Sequence, residues 1–293
     1  MCPWVVFWGM RCGTVRAQLG GVTVGDDCPV ALIGALNVSP ESFYPASVFA
    51  DLDALLRAAD QMVAAGAVIL DVGGMSTAPY RATLVSEAEE SDRLARAVSR
   101  LVAKLGVPVS ADVSRAGPAL AALEAGALII NDVTGFRGDP RVPSLVAARR
   151  AGVIVGASPA SAHADGPGRP IDRVGATLAE SLDRARAAGV PDDRIVLDPG
   201  IGFFRPLAAR WWDWDAAVIG SLDALRSLGR PVCVGVSRKS FVGALTGRDD
   251  PADRLAGSLA ASAVAVYKGA ALVRTHDVEL TRDAVRVAVA MRS

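Results

Sequence analysis

The sequence has little of several residue types, and each shortage excludes a class of protein. Only 2 of the 293 residues are histidine, which is too few for a histidine-rich metal centre. The four cysteines form no CxxC pair and no zinc-ligand spacing, so free thiols in the reducing cytoplasm are expected. Lysine and arginine (31) balance aspartate and glutamate (31). A nucleic-acid-binding protein usually carries a basic excess, so we expect no nucleic-acid partner.

Long apolar runs are also missing. No stretch is long and apolar enough to predict a transmembrane helix. The opening segment, MCPWVVFWGM, has no basic region before it and is too short to cross a bilayer. We expect residues 1–14 to be a disordered or mis-started extension, with Met10 as the more natural start. Residues 15–293 are expected to form a single domain without membrane contact.

The core must be built from small and aliphatic residues, because aromatics make up only 5% of the chain and apolar residues 51%. This composition is typical of buried parallel strands flanked by alanine-rich helices. From about residue 30 onward, short apolar runs alternate with segments of helical periodicity. Eight of these runs are predicted strands: Val30–Leu36, Ala67–Val72, Val107–Ala111, Ala127–Asn131, Val153–Ala157, Arg194–Leu197, Pro231–Val236 and Ala270–Arg274.

The segments between the strands have the spacing of amphipathic helices. The clearest are Asp51–Ala65, Ser86–Leu105, Val174–Ala188, Asp215–Leu228, Asp253–Lys268 and Val278–Met291. A glycine in left-handed backbone commonly ends a helix. We predict that role for the glycines that follow helical runs: Gly66, Gly106, Gly126, Gly152, Gly189, Gly229 and Gly269.

Eight strand–helix units predict an α/β fold, the (β/α)8 TIM barrel. A doubly wound sheet would need fewer strands and a GxGxxG turn, and residues 200–205 fail that motif at the last position. Upstream, Val15–Val24 is predicted to form a short N-terminal β-hairpin around Gly20 and Gly21. We expect this hairpin to plug the N-terminal end of the barrel.

Polar side chains stand just past nearly every predicted strand, at the edge where TIM-barrel active sites lie. A single residue of this kind can merely cap the next helix, but the set as a whole favours a ligand site. Its members are Asn37, Asp71, Asp112, Asn131, Asp132, Ser158, Asp198, Ser237, Arg238, Lys239, Arg274, Thr275, His276 and Asp277.

The chemistry of this set indicates a ligand with two different ends. Asp112 and Asp198, with the Asn131 amide, can hydrogen-bond to the edge of a planar, amine-bearing heterocycle. Arg238 and Lys239 either bind an anion or pair with nearby carboxylates. The basic side chains that suit an anion such as a phosphate are Arg238, Lys239, Arg274 and His276. We therefore expect a ligand with a neutral amide-amine head and an anionic tail.

Six motifs, in this order and at successive strand ends, resemble those of the dihydropteroate synthase family. They lie at residues 34–43, 71–77, 131–133, 198–203, 237–241 and 274–278. The likeness runs from about Val15 to Met291, and residues 39–44 look like the archaeal-type branch. It implies a TIM-barrel transferase of folate biosynthesis. Such an enzyme joins 6-hydroxymethyl-7,8-dihydropterin pyrophosphate to 4-aminobenzoate and releases pyrophosphate.

The resemblance also implies roles for individual residues. Pterin contacts are implied for Asp112, Asn131, Asp198, Phe203, Lys239 and Arg274. Pyrophosphate and arylamine contacts are implied for Asn37, Thr77, Ser237, Arg238 and His276. Catalytic roles fall to Lys239, Arg274 and His276. Mg2+ is the implied cofactor, held at Asn37, and a homodimer is the implied assembly, with Leu255–Lys268 as a candidate contact helix.

The second loop departs from the family pattern. Usual members carry GGESTRPG, and here Met75, Ala78 and Tyr80 stand in place of its acid, its arginine and its final glycine. The pterin half of the site is intact, and the arylamine half is altered. Three alternatives therefore stand beside the synthase: a non-catalytic pterin-binding paralogue, a pterin-dependent methyltransferase, and a synthase that uses a modified arylamine. Retention of Asn37 and His276 argues against the methyltransferase, which has no use for a pyrophosphate site.

Overall fold

Eight parallel strands form one closed barrel in the computed structural model, which describes residues 14–39, 51–75, 85–161, 168–204 and 210–292. The strands are β3 Ala31–Asn37, β4 Ile69–Gly73, β5 Val109–Asp112, β6 Ile129–Asp132, β7 Gly152–Gly156, β8 Ile195–Asp198, β9 Cys233–Gly235 and β10 Leu272–Thr275. Their order is β8-β7-β6-β5-β4-β3-β10-β9. A parallel bridge between Leu197 and Val232 joins the two ends of this order. The predicted TIM barrel is confirmed.

Helices follow the barrel strands and pack around them. They are α1 Leu52–Ala64, α2 Glu87–Val102, α3 Ala116–Glu124, α4 Val142–Ala148, α5 Pro170–Ala187, α6 Trp211–Gly220, α7 Ser240–Thr246, α8 Leu255–Tyr267 and α9 Val278–Arg292. Asp51 caps α1 by accepting hydrogen bonds from the backbone N–H groups of Asp53 and Ala54, both at 3.1 Å. Among the described residues, no helix is long and apolar enough to cross a membrane.

One predicted helix is wrong in its extent. The segment Asp215–Leu228 was expected to be continuous, but α6 ends at Gly220 and a 3-10 helix covers Leu222–Leu228. Ser221 between them has φ −127° and ψ 19°, which is not helical backbone. The apolar spacing is the same on both sides of this break. For that reason periodicity alone could not reveal it.

The predicted helix-ending glycines divide into two groups. Five take left-handed backbone as expected: Gly66, Gly126, Gly189, Gly229 and Gly269. Gly106 and Gly152 do not. After α4 the left-handed residue is Arg150, with φ 53°, and Gly152 instead begins β7. A Cβ on Gly152 would lie 2.8 Å from Leu19 Cδ2, so this glycine is needed for close packing.

Leu19, the residue that packs against Gly152, belongs to the N-terminal hairpin. Strand β1 (Arg16–Leu19) pairs antiparallel with β2 (Val22–Gly25), around a turn in which Gly20 and Gly21 have φ 56° and 92°. Ala17, Leu19 and Val24 are buried against the lower interior of the barrel. The barrel residues of this cluster include Ile33, Ile69, Ile129, Ile154, Val196, Cys233 and Leu272. The hairpin therefore closes the N-terminal end, as predicted. Residues 1–13 of the expected extension lie outside the described residues.

Candidate active site

Above the apolar cluster that closes the N-terminal end, the barrel interior contains charged and amide side chains. We call this set the charged layer: Asp71, Asp112, Asn131, Asp198, Lys239 and Arg274. Strand register makes room for it. Asp112 of β5 lies beside Gly73 of β4, and Arg274 of β10 lies beside Gly235 of β9. Residues paired in register on neighbouring parallel strands point to the same side of the sheet, so a glycine paired with a long or charged residue leaves that residue space.

Arg274 is held between two acids of this layer. Its Nε donates to Asp71 Oδ2 at 2.6 Å, and its Nη2 donates to Asp112 Oδ2 at 3.1 Å. Burial lowers the pKa of Arg274, but the charges of Asp71 and Asp112 outweigh it and hold that pKa above its usual value. Asn131 joins the same group, since its Nδ2 donates to Asp71 Oδ2 at 3.1 Å. The two acids fix the orientation of the guanidinium within the charged layer.

Three oxygen atoms of this group are buried with no hydrogen-bond partner among the described residues: Asp71 Oδ1, Asp112 Oδ1 and Asn131 Oδ1. Leaving a buried polar group unpaired costs about 1–3 kcal/mol. Native structures rarely tolerate several such groups together without a ligand or water. The arrangement therefore suits a ligand edge rich in N–H donors.

Burial raises the pKa of two acids of the charged layer, Asp112 and Asp198. Burial raises the pKa of Asp112 to about 7, against the opposing charge of Arg274. Burial also raises the pKa of Asp198, although the nearby Lys239 charge opposes it. Asp198 Oδ1 accepts from the backbone N–H of Gly200 at 2.7 Å. Its other oxygen remains available to a second donor.

Lys239 reaches the same layer from the loop after β9. Its Nζ donates to the backbone carbonyl of Ile201 at 2.5 Å and lies 5.0 Å from the centroid of the Phe203 ring. Burial lowers the pKa of Lys239, and the Asp198 charge opposes the shift. Lys239 and Phe203 are thus neighbours, in keeping with their common assignment to the pterin pocket.

Asp215, a residue absent from the predicted site, supports this loop. It is fully buried in α6, and its Oδ1 accepts from the backbone N–H of Gly202 at 2.9 Å. Gly202 has φ 86°, the left-handed backbone that lets the loop turn toward Lys239. In the sequence, Asp215 is only one acid within a tryptophan-rich helix start, so no signal marks it.

His276 and Ser237 lie together at the ends of the last two strands. The His276 backbone N–H donates to Ser237 Oγ at 3.3 Å, and His276 Nδ1 lies 3.1 Å from the carbonyl oxygen of Ala35. Burial lowers the pKa of His276 to about 4, and the charge of Arg274 adds to that shift. The imidazole is therefore neutral at pH 7.

Arg238 takes the carboxylate pairing that the sequence analysis stated as the alternative to an anion contact. It is buried, and its Nε and Nη2 donate to the two carboxylate oxygens of Asp277 at 2.9 and 2.7 Å. Its Nη1 donates to the carbonyls of Pro251 and Ala252. The contact of Arg238 with pyrophosphate or the arylamine stays a prediction.

Asn37 is the remaining predicted residue within the described part of the chain, and it lies at the C-terminal end of its strand. Asn37 ends β3, and a Cβ on Gly73 would lie 3.2 Å from Asn37 Oδ1. Thr77 lies outside the described residues. Nearby, Arg115 donates from Nε to Glu90 Oε2 at 2.7 Å and from Nη1 to the Val85 carbonyl at 2.9 Å. Sequence reasoning missed this pair, in which Glu90 is buried and Arg115 is half-buried.

Comparison with known proteins identifies the class to which this barrel belongs. A family model for pterin binding enzymes matches residues 33–276, and the chain belongs to that family. Individual relatives narrow the class further, to the dihydropteroate synthases. The chain is 35% identical to the dihydropteroate synthase of Synechocystis sp. over 264 residues, covering 89% of each protein.

Solved structures agree. A dihydropteroate synthase of Coxiella burnetii in complex with pteroic acid superposes with a TM-score of 0.83 at 33% identity, over 96% of this chain and 99% of the other. That of Xanthomonas albilineans with 4-aminobenzoic acid also gives 0.83, at 35% identity and the same coverage. The family resemblance drawn from the sequence motifs is confirmed.

Proposed function

We propose that this chain is a transferase of folate biosynthesis that catalyses the dihydropteroate synthase reaction. It joins 6-hydroxymethyl-7,8-dihydropterin pyrophosphate to 4-aminobenzoate and yields 7,8-dihydropteroate and pyrophosphate. The observation that carries the proposal is the charged layer, where unpartnered acceptor oxygens stand beside Arg274 and Lys239. The Coxiella and Xanthomonas relatives hold pteroic acid and 4-aminobenzoic acid. Pteroic acid contains both halves of the product, and 4-aminobenzoic acid is one of them.

The pterin ring lies in the charged layer in this proposal. Asp112, Asn131 and Asp198 accept hydrogen bonds from the N–H groups along the ring edge. Lys239 donates to a ring acceptor, since an ammonium group can only donate. Phe203 packs beside the ring, and the fixed Arg274 guanidinium stacks across its face, an arrangement in which the planar cation is well suited to an aromatic surface.

The pyrophosphate faces the strand ends at the mouth, with Asn37, Thr77, Arg274 and His276 around it. The bond between the pterin methylene carbon and the pyrophosphate oxygen breaks, and its electron pair leaves with pyrophosphate. The methylene cation is delocalised into the ring, and the arylamine nitrogen attacks it, forms the C–N bond and loses a proton to water. Arg274 stabilises the charge that develops on the leaving group. The step needs no protein nucleophile.

Magnesium is part of the proposal, with Asn37 as its protein ligand. The described residues contain no cluster of three or more His, Cys, Asp or Glu side chains able to hold a metal alone. Mg2+ commonly keeps several waters and takes only one or two protein oxygens together with substrate phosphates. Gly73 leaves open the space beside Asn37 Oδ1 that a Cβ would narrow, so the residues fit such a site. The ion would supply positive charge to the leaving pyrophosphate.

The arylamine is bordered by Ser237, Lys239 and the second loop, in which Met75, Ala78 and Tyr80 depart from the family pattern. An acceptor with substituents other than those of 4-aminobenzoate is the second candidate, favoured by these three departures. The enzyme works as a cytoplasmic homodimer in this proposal. Free thiols at Cys28 and Cys233 fit a reducing compartment.

The proposal is tested by incubating the chain with the pterin pyrophosphate, Mg2+ and 4-aminobenzoate. We expect dihydropteroate and pyrophosphate in equal amounts. The Asp198→Ala variant is expected to stay folded and to lose pterin binding in calorimetry. Pyrophosphate without dihydropteroate would point to a different arylamine. Tight pterin binding without any turnover would contradict catalysis and favour the paralogue.

A further inference from the structure

One acid of the charged layer has no role in the mechanism described above. Asp71 lies in the middle of β4, and its side chain is 0% exposed. Its Oδ2 accepts two hydrogen bonds, from Arg274 Nε at 2.6 Å and from Asn131 Nδ2 at 3.1 Å. Arg274 comes from β10 and Asn131 from β6, so one carboxylate joins two residues that the proposed function assigns to the pterin.

The contact with Asp71 decides which way the Asn131 amide faces. A carboxylate oxygen accepts hydrogen bonds, so the NH2 group of Asn131 must face it. The amide oxygen then points away from Asp71, and this oxygen is buried without a partner among the described residues. Asn131 is thereby presented to a ligand as an acceptor. The reverse orientation would offer donors to a ring edge that itself consists of N–H donors.

Because of this contact, the two acids around Arg274 bind different nitrogen atoms of its guanidinium. The guanidinium is planar, so two hydrogen bonds at different nitrogen atoms fix its orientation. Asp71 holds Nε, and Asp112 holds Nη2 with Oδ2 only. Asp112 Oδ1 is left buried and unpartnered within the described residues. Without Asp71, Asp112 would be the sole carboxylate against this buried cation, and its second oxygen would be drawn toward the guanidinium.

We propose that Asp71 is a positioning residue for the pterin site, acting through the Asn131 amide and the Arg274 guanidinium. It holds the amide oxygen toward the ligand and keeps the guanidinium in one plane. The same two hydrogen bonds also support the fold, because they connect β4 with β6 and with β10.

A double-variant cycle tests this directly. In Asp71→Asn the NH2 group of Asn131 loses its carboxylate acceptor, and Asn131→Ala removes the amide itself. We expect each single variant to bind the pterin pyrophosphate at least tenfold more weakly in calorimetry. In the double variant Asp71→Asn/Asn131→Ala the amide that Asp71 orients is already absent. The loss of affinity in the double variant is therefore expected to be smaller than the product of the two single losses.

Asp139→Asn is the matched control. Asp139 is also a buried aspartate that pairs with an arginine, Arg141, but it lies outside the charged layer, and its Oδ2 accepts from the backbone N–H of Ala116 at 3.0 Å. This variant is expected to lower the thermal unfolding midpoint without changing pterin affinity. Should Asp71→Asn fail to fold, Asp71→Ser takes its place in the same comparison, because it also removes the carboxylate.

Two results would overturn the role of Asp71: unchanged pterin affinity in the folded Asp71→Asn variant, or losses that simply multiply in the double variant. Multiplying losses would mean that Asp71 acts on the ligand independently of Asn131. The inference rests on the proposed function in one respect, that the wild-type chain binds the pterin pyrophosphate. A wild-type titration without binding would contradict the proposed function. Wild-type binding together with multiplying losses would contradict only the positioning role.

Discussion

The hydrogen-bond partner of His276 determines which of its two ring nitrogens carries the proton. The carbonyl oxygen of Ala35, 3.1 Å from Nδ1, can only accept, so Nδ1 holds the ring proton. The pKa of His276 is lowered to about 4 by burial and by Arg274, and at pH 7 the neutral ring offers Nε2 as an acceptor. Pyrophosphate oxygens are acceptors as well. Contact between them requires a second proton on the imidazole.

We therefore predict that pyrophosphate binding takes up a proton at His276. The affinity should rise as the pH falls from about 8 toward 6, because binding raises the pKa of His276 from about 4 toward neutrality. Calorimetry in two buffers of different ionisation enthalpy measures the proton uptake. In His276→Gln the amide donates without protonation, so the uptake assigned to this residue should vanish. Equal proton uptake in the two proteins would contradict the assignment.

Arg238 is expected to stabilise the fold. Its guanidinium faces the Asp277 carboxylate, and the two side chains are 7% and 18% exposed. Removing one partner of a buried ion pair costs about 3–5 kcal/mol, and we expect Arg238→Met to lower the free energy of unfolding by that order in urea denaturation. The matched variant Arg96→Met, whose pair with Asp92 is about two-thirds exposed, should cost less than about 1 kcal/mol. Similar losses in both variants would argue against a buried pair.

At the scale of side chains, the sequence could identify the polar strand ends but not their partners. Arg238 and Lys239 are neighbours with the same charge, and only the folded backbone sends one to Asp277 and the other to the charged layer. The pairing of Asp71 with Arg274 spans 203 residues. No local pattern encodes such a contact, because it depends on the register of distant strands.

Among the elements, the strands were predictable to within two residues at each end. Each strand is buried on both faces, so it stands out as an apolar run between polar helix ends. The break after Gly220 was not predictable, since the apolar spacing continues through it. The role of Gly152 also depends on an element far away in the chain, the hairpin residue Leu19.

The hairpin is expected to contribute to stability rather than to ligand binding. Leu19 is 0% exposed and lies in the cluster that closes the N-terminal end of the barrel. Truncation of a buried leucine costs about 2–5 kcal/mol, so Leu19→Ala should shift the urea midpoint strongly. Pterin affinity should stay unchanged because the charged layer lies toward the opposite end. The exposed neighbour Thr23→Ala should change stability by only about 0.5 kcal/mol. A loss of pterin affinity in folded Leu19→Ala would contradict this separation.

For the whole molecule, the last two helices leave an apolar face uncovered. On α9, Leu280, Val287 and Met291 are 45%, 54% and 70% exposed, and their spacing puts them on one side of the helix. On the adjoining α8, Val264 and Tyr267 are 45% and 51% exposed. Clusters of exposed apolar side chains commonly mark a protein contact. This face extends the sequence expectation of a contact helix at 255–268 to include α9, and we place the proposed dimer contact there.

These two helices precede and follow β10, which contains Arg274 and is followed by His276, so a contact there would also restrain the pyrophosphate side of the site. A stable dimer of standard size buries about 800 Å2 on each partner, and a glutamate at its centre would be left desolvated and unpaired. We therefore expect Val287→Glu to convert the dimer to a monomer in sedimentation experiments. Leu128→Glu, a change at an equally exposed apolar side chain (49%) outside these helices, should leave the mass unchanged. A wild-type chain that stays monomeric at micromolar concentration, or a Val287→Glu variant that still dimerises, would exclude this face as the contact.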